Sequence, residues 1–247
     1  FLEEDGTFIT KLELPYDGYY NVIFGRFPLA LYLEQGKSLN FNLDLQDIEN
    51  SLTFSEDLAH ENNFLTQKKE LSTINPRELY QKEPGDFISS IEKLQEKLST
   101  VLEASEIANK NFISSQEKEI LYQKASFLNT YENAHTYLTE TEEVILPSNF
   151  YATLEDINMA DTLEFRLSDG YKKMVQGYLF RSLDEAPSVN DTNNAIQYIE
   201  LVNKIYPESY AKNQLLKEAV GYSLKPDKHL DRAYKLYMDS QTNPELK

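Results

Sequence analysis

The sequence predicts an α+β protein in which a short antiparallel β region precedes a larger all-α region built from helical hairpins. Before about residue 56, apolar and polar residues alternate with a period of two, as in strands that bury one face. From residue 57 onward, apolar residues recur three and four positions apart, the period of an amphipathic helix. We therefore predict a partial β domain at residues 1–56 and an α-helical domain at residues 57–247.

Turn residues divide the first region into short strands, predicted at residues 7–14, 19–24, 27–33, 39–44 and 52–54. Asp17-Gly18 and Gln35-Gly36-Lys37 punctuate the chain between them. Connections this short indicate antiparallel pairing. We expect a sandwich-like sheet completed by strands upstream of residue 1, because so few strands would leave an open edge.

The second region shows helical stripes separated by prolines. One stripe has apolar residues four and three apart, and the helix that carries it starts near Pro84: Phe87, Ile91, Leu94, Leu98 and Val101. A second helix is expected to begin at a capping box formed by Ser114 to Glu117. Further helices are predicted at residues 163–183, 192–205, 209–224 and 228–240, with breaks at Pro187, Pro207 and Pro226. Tyrosines do not recur at a fixed spacing, so helical hairpins are predicted rather than a repeat array.

Charge and composition exclude several classes of function. The net charge of −17 opposes binding to nucleic acid, which requires Lys and Arg to displace counterions from phosphates. The chain contains no cysteine, so it holds no disulfide, thiol nucleophile or Cys-x-x-Cys pair. The longest apolar run, residues 27–33, is strand-sized and far below the roughly 20 residues that span a bilayer.

No catalytic, cofactor-binding or metal-binding residue is predicted. The three histidines His60, His135 and His229 lack metal-ligand spacing and are interpreted as surface or capping residues. Adjacent acids such as Glu142-Glu143 do not place two carboxylates across a cleft. The best candidate for an exposed aromatic interaction surface is the segment 170–178, with Tyr171 and Tyr178. The favoured interpretation of the tyrosines and phenylalanines in general is, however, that they fill the cores of the sheet and of the helical layer.

The first part of the chain resembles a known family. The residues that carry the resemblance are, in order, Asp5-Gly6-Thr7-Phe8, Pro15 to Tyr20, Leu31 to Leu39, Ser51 to Ser55, and Glu61-Asn62-Asn63-Phe64-Leu65. Their order resembles the β-rich domain that precedes the thioredoxin domain in TlpA/ResA-like thiol–disulfide oxidoreductases of the Bacteroidetes envelope. The similarity covers about residues 5–65, and the helical remainder matches in order and character.

The resemblance implies a non-catalytic accessory N-terminal region of a periplasmic or cell-envelope oxidoreductase. The family's Cys-x-x-Cys has no counterpart here, so the redox chemistry would belong to a C-terminal thioredoxin domain beyond this chain. We expect the region to position that domain, to dimerise or to bind client proteins. We further expect a membrane or lipid anchor upstream of residue 1. The alternative function is a stand-alone envelope binding protein for a glycan or peptide.

Overall fold

A computed structural model describes residues 6–24, 27–44, 46–47, 51–184, 193–222 and 228–246. The chain divides into two compact units. Unit 1 comprises Phe1–Ile74 and Glu96–Gln116, and unit 2 comprises Asn75–Gln95 and Glu117–Lys247. The division differs from the change of secondary structure near residue 56, because helical segments contribute to both units. That the β and α regions are separate domains remains a prediction.

The strands and helices follow each other in the predicted order, so the α+β class is confirmed. The strands are β1 (Gly18–Phe24), β2 (Phe27–Leu33), β3 (Asn40–Asn42) and β4 (Thr53–Ser55). The helices are α1 (Ala59–Leu71), α2 (Pro76–Tyr80), α3 (Pro84–Ala104), α4 (Lys110–Thr139), α5 (Ala152–Glu155), α6 (Thr162–Leu167), α7 (Asp169–Asp184), α8 (Asn194–Ile205), α9 (Tyr210–Tyr222) and α10 (Leu230–Ser240). A short 3-10 helix covers Pro244–Leu246.

Unit 1 contains two antiparallel two-stranded sheets, β1–β2 and β3–β4. In the first, Tyr19 lies opposite Tyr32 and Phe24 lies opposite Phe27. The outer edge of β2 meets the side-chain amide of Asn62 on α1. Asn62 Oδ1 accepts from the Tyr32 N–H at 2.8 Å, and Asn62 Nδ2 donates to the Tyr32 carbonyl at 3.0 Å. The amide thus hydrogen-bonds β2 as a neighbouring strand would.

Aromatic rings fill the core of unit 1 beside this clamp. The ring of Phe112 on α4 packs edge-on against Tyr32 at 4.8 Å and against Phe64 at 6.0 Å between centroids. Phe112 and Phe64 are both fully buried. Such pairs add about 0.5–1.5 kcal/mol beyond the area that they bury. The start of α4 is therefore held against β2 and α1 by edge-to-face aromatic contacts.

Unit 2 has a larger apolar core. Phe87 of α3 packs against Tyr131 of α4 and Phe150, with ring centroids 4.2 and 6.0 Å away. A second group of buried side chains comes from α4 to α10. Its fully buried members include Tyr198 and Tyr206. Successive helices pack on each other in this part of the chain, α7 on α8, α8 on α9, and α8 on α10. The predicted helical packing is present.

The strand predictions hold best for the segments that are rich in aromatic and aliphatic residues. The strands at 19–24 and 27–33 are confirmed almost to the residue. The expected sheet is divided, however, because the described strands form two separate two-stranded sheets. Residues 7–14 are wrong as a strand: they are mostly exposed and pair with no strand among the described residues. At 39–44 half-buried and exposed residues alternate as predicted, but only Asn40–Asn42 form ladder pairs.

The helix predictions fail mainly at boundaries. The stripe of α3 is confirmed, with Phe87, Ile91 and Leu98 fully buried. The capping box at Ser114 is wrong, because α4 already begins at Lys110. Asn109 supplies that cap, since its Oδ1 accepts from the N–H groups of Asn111 and Phe112.

The predicted helix at 163–183 is two helices, α6 and α7, separated by Ser168 in an extended conformation. The last three predicted helices are present as α8, α9 and α10 with ends shifted by a few residues. Pro207 lies between α8 and α9 as expected. The breaks at Pro187 and Pro226 lie outside the described residues.

We predict that Asn62→Ala lowers the free energy of unfolding by about 3 kcal/mol, since it leaves buried backbone groups of Tyr32 without partners. It also removes the Asn62 bond to the Leu58 carbonyl. Urea unfolding measures the change. The matched control is Asn63→Ala, because Asn63 is the exposed neighbour on the same helix. Equal losses for both variants would contradict the clamp.

Candidate functional site

Tyr171, one of the two predicted interaction residues, lies in the core of unit 2 and is only 1% exposed. Its ring packs edge-on against Tyr122, 5.2 Å away between centroids, and against Phe165. Its hydroxyl donates to the Asn158 carbonyl and accepts from the Asp161 N–H at 3.0 Å. The prediction that Tyr171 belongs to an exposed surface is therefore wrong, because both its ring and its hydroxyl are already occupied.

Tyr178 lies seven residues after Tyr171 on the same face of α7 and is partly buried against the same core. The guanidinium of Arg181 lies 5.6 Å from its ring centroid and 4.0 Å from that of Tyr151. Arg181 Nε also donates to Asn129 Oδ1 at 3.1 Å. Tyr178 thus forms one wall of an arginine–aromatic stack. Its role in binding a partner remains a prediction.

The structure instead exposes apolar side chains on α6. Leu163 and Leu167, one helical turn apart, are 63% and 66% exposed. Arg166 is exposed between them, and its guanidinium lies 5.0 Å from the ring centroid of Tyr210, which is itself exposed. The Ala211 N–H donates to Thr162 Oγ1 at 3.2 Å, so the starts of α6 and α9 adjoin. We call Leu163, Arg166, Leu167 and Tyr210 the α6 surface.

Capping groups at both ends of α6 orient this surface. Asp161 Oδ1 accepts from the N–H groups of Leu163 and Glu164 and so begins the helix. Phe165, on the opposite side from the two leucines, is buried in the core. At the other end, Ser168 Oγ accepts from the Tyr171 N–H at 2.8 Å and starts α7. With Phe165 fixed inside, Leu163 and Leu167 face solvent.

The α6 surface combines apolar area with one cation. Burying a leucine side chain contributes about 1.5–3 kcal/mol, so covering both leucines would supply much of the energy of a small interface. Arg166 beside Tyr210 adds a flat donor suited to a carboxylate or a backbone carbonyl. Scattered exposed apolar residues are ordinary, but a contiguous group of this kind is typical of protein-binding surfaces.

Burial raises the pKa of the tyrosines beneath this surface. The pKa of Tyr171 rises to about 12, chiefly because the charged phenolate would be desolvated. The pKa of Tyr122 is also raised, first by burial and then by the charge of Glu164. Both hydroxyls therefore stay protonated at neutral pH and act as structural hydrogen-bonding groups rather than as bases.

The histidines occupy three different environments. His60 is exposed on α1, and His229 stands at the N-cap of α10. His135 is buried, contrary to the expectation of a surface residue, and its Nδ1 lies 2.9 Å from the Tyr80 carbonyl and 3.2 Å from the Tyr131 hydroxyl. Within the described ranges, no group of three or more His, Asp and Glu side chains could hold a metal ion.

One pocket of unit 2 lies between α3 and α4. Its empty space is about 150 Å³ even when open solvent at its mouth is included, and Ile91, Leu94, Gln123, Lys124 and Phe127 are among its lining residues. Binding pockets for small ligands typically measure about 300–1,000 Å³, so this one offers no room for a sugar chain. The pocket gives no support to glycan binding.

Comparisons of the chain with protein-family models, with curated proteins and with solved structures found no match. Across the described residues, no helix combines the length and the apolar character needed to cross a bilayer.

Sequence reasoning missed the α6 surface because the break at Ser168 is invisible in the apolar pattern. In one continuous helix, Leu163 and Leu167 would extend the stripe that Tyr171, Met174 and Tyr178 form at spacings of four and three. The extended Ser168 shifts the phase of the two helices. The sequence did offer a signal for two helices. Asp161 and Ser168, the residues before α6 and α7, are both of a type that favours the N-cap position.

We predict that Tyr171→Phe weakens the dependence of stability on alkaline pH. The pKa of Tyr171 is about 12 in the folded protein and near 10 in the unfolded chain. The contribution of this hydroxyl to the free energy of unfolding is therefore complete below pH 10 and is lost as pH rises towards 12. The variant lacks this loss, and its free energy of unfolding at neutral pH is lower by about 1–2 kcal/mol. Urea unfolding across this pH range measures both effects. Tyr137→Phe, at an exposed position, serves as the control; an unchanged slope for Tyr171→Phe would contradict the assignment.

Proposed function

We propose that this chain is a non-catalytic accessory region of a periplasmic or cell-envelope thiol–disulfide oxidoreductase, and that it binds protein partners of that enzyme through the α6 surface. The observation that carries the binding role is the exposed pair Leu163 and Leu167 beside Arg166 and Tyr210. A uniformly charged helical layer would instead have favoured a spacer. The partner would be a client protein of the redox domain or a second subunit.

The resemblance to the pre-thioredoxin region supports the enzyme class. The residues that carry it have structural roles in this chain. Gly36 adopts a positive φ of 76° in the turn after β2, Asn62 clamps the edge of β2, and Phe64 is buried in unit 1. In this proposal each of these residues stabilises the fold and takes no part in catalysis. In this proposal the disulfide chemistry is carried out by cysteines of the parent protein outside this chain.

The mass of the native protein tests the parent enzyme. Intact mass spectrometry, before and after reduction and thiol alkylation, should give a product clearly heavier than 28.7 kDa that gains two alkyl groups only after reduction. A mass near 28.7 kDa with no alkylation would overturn the oxidoreductase proposal. It would favour a stand-alone binding protein for a glycan or peptide, for which the described pocket offers no support.

We predict that the double variant Leu163→Glu with Leu167→Glu, introduced into the parent protein, forms fewer mixed disulfides with envelope proteins. The yield of trapped mixed disulfides should fall by roughly tenfold, because losing an interface hot spot weakens binding by about that factor. The mixed disulfides are trapped by replacing the resolving cysteine with serine and are measured on non-reducing gels. Reaction with a small aromatic disulfide should be unchanged, because the redox site is untouched.

The matched control replaces two other exposed apolar residues of unit 2, Tyr137→Glu with Ile145→Glu. It adds the same charge to an already acidic chain, so it separates a general charge effect from loss of the α6 surface. Thermal unfolding of both double variants should match that of the unchanged protein, since all four side chains are exposed. Equal yields of trapped protein from the two double variants would reject the α6 surface as the binding site.

A further inference from the structure

The connection between α4 and α5 in unit 2 contains a stretch of unbonded backbone. In the described part of the chain, residues 142–146 make no hydrogen bond and no ion pair, through either the backbone or the side chains. They belong to no helix or strand. Ile145 is 92% exposed, whereas its neighbours Val144 and Leu146 are half-buried. We call residues 142–146 the open segment.

Hydrogen-bonded turns hold both ends of the open segment. Glu140 adopts a positive φ of 56° directly after α4, and the Thr141 N–H donates to the Thr136 carbonyl at 3.2 Å. This left-handed residue and its neighbour's bond end the helix. On the other side, the Phe150 N–H donates to the Pro147 carbonyl at 2.9 Å, and Phe150 is buried. The open segment therefore joins two fixed points of unit 2.

An unbonded, exposed backbone is what an endopeptidase requires of a folded substrate. The enzyme binds several consecutive residues through their backbone groups, in the manner of an added strand. Residues that are bonded within a helix or sheet must first be released by local unfolding, which costs free energy. The open segment has no such bonds to break, so it can enter an endopeptidase cleft while the rest of unit 2 stays folded.

Ile145 indicates which class of endopeptidase fits. The residue before the cleaved bond inserts its side chain into the specificity pocket of the enzyme, so that side chain must be accessible. Of the apolar residues in the open segment, Ile145 alone is mostly exposed. A branched aliphatic side chain suits the small apolar pocket of an elastase-like enzyme. The open segment contains no Lys or Arg for the acidic pocket of a trypsin-like enzyme.

We propose that the peptide bond between Ile145 and Leu146 is a cleavage site for an elastase-like serine endopeptidase in the folded chain, and that the two fragments stay assembled. The cleavage consumes one water molecule. The bond from the Ile145 carbonyl carbon to the Leu146 nitrogen breaks, and the water oxygen remains on Ile145 as part of a carboxylate. Both water protons go to the Leu146 nitrogen, which becomes a new ammonium terminus. This inference does not rest on the proposed function.

Core contacts of unit 2 join the two sides of this bond. Tyr131, which precedes the cut, packs on Phe150, which follows it, with ring centroids 5.2 Å apart. Tyr122 and Tyr171 form a second such pair at 5.2 Å. All four residues are buried. Cutting an exposed connection removes none of these contacts, so the fragments should remain associated.

Limited proteolysis of the full chain by pancreatic elastase tests the site. Without denaturant, mass spectrometry should identify a fragment that begins at Leu146 among the first products, and its rate of formation should not rise with urea below the unfolding transition. Ile145→Asp should lower that rate by about tenfold or more, because an apolar pocket accepts a carboxylate poorly. The matched control is Ile9→Asp, the same change at a fully exposed isoleucine of unit 1, which should leave the rate unaltered.

Size-exclusion chromatography of the cut protein tests whether the fragments stay assembled. They should elute together in buffer and separately in denaturing urea. Three results would overturn the site: no fragment that begins at Leu146, a cut that appears only within the unfolding transition, or equal rates for Ile145→Asp and Ile9→Asp. Separate elution of the fragments in buffer would overturn the assembled product.

Discussion

Side-chain amides and hydroxyls supply hydrogen bonds that the backbone lacks at several strand edges and helix ends inside the cores. Asn62 bonds both backbone groups of Tyr32, and Ser168 accepts from the first buried N–H of α7. In unit 2, the Tyr131 hydroxyl donates to the Lys82 carbonyl. A buried backbone group without a partner costs about 1–3 kcal/mol. A strand edge or helix end inside a core is therefore stabilised where such a side chain supplies the missing bond.

The α6 surface is a consequence of the same constraint. Ser168 ends α6 and resets the helical phase, which turns Leu163 and Leu167 to solvent while Phe165 stays in the core. Asn62 closes the outer edge of β2 in a similar way. In each case a polar side chain that stabilises one element also influences which neighbouring face is covered. The α6 surface offers a partner apolar area and one arginine.

Local pattern predicted the elements whose burial follows from their own residues. The predictions of β1, β2 and the stripe of α3 matched the structure because residue type and spacing already specify these elements. Half-buried and exposed residues alternate along β1, and α3 buries Phe87, Ile91 and Leu98. Residues 7–14 show the limit, since partial alternation alone does not make a strand, and none of the described strands pairs with this segment. The start of α4 shows another, because Asn109 rather than Ser114 caps it. Several residues fit a cap by type, and neighbouring contacts select one.

The sequence by itself determined the α+β class, the order of strands and helices, and the absence of thiol chemistry, because composition and periodicity are properties of the local chain. Only the tertiary structure decided which side chains are exposed. Tyr171 and Leu163 lie on the same apolar stripe of the sequence, yet Tyr171 is buried and Leu163 is not. Their difference arises from one extended residue between two helices and from the core packing of Phe165. Burial depends on what packs against a face, and that information is distributed over distant residues.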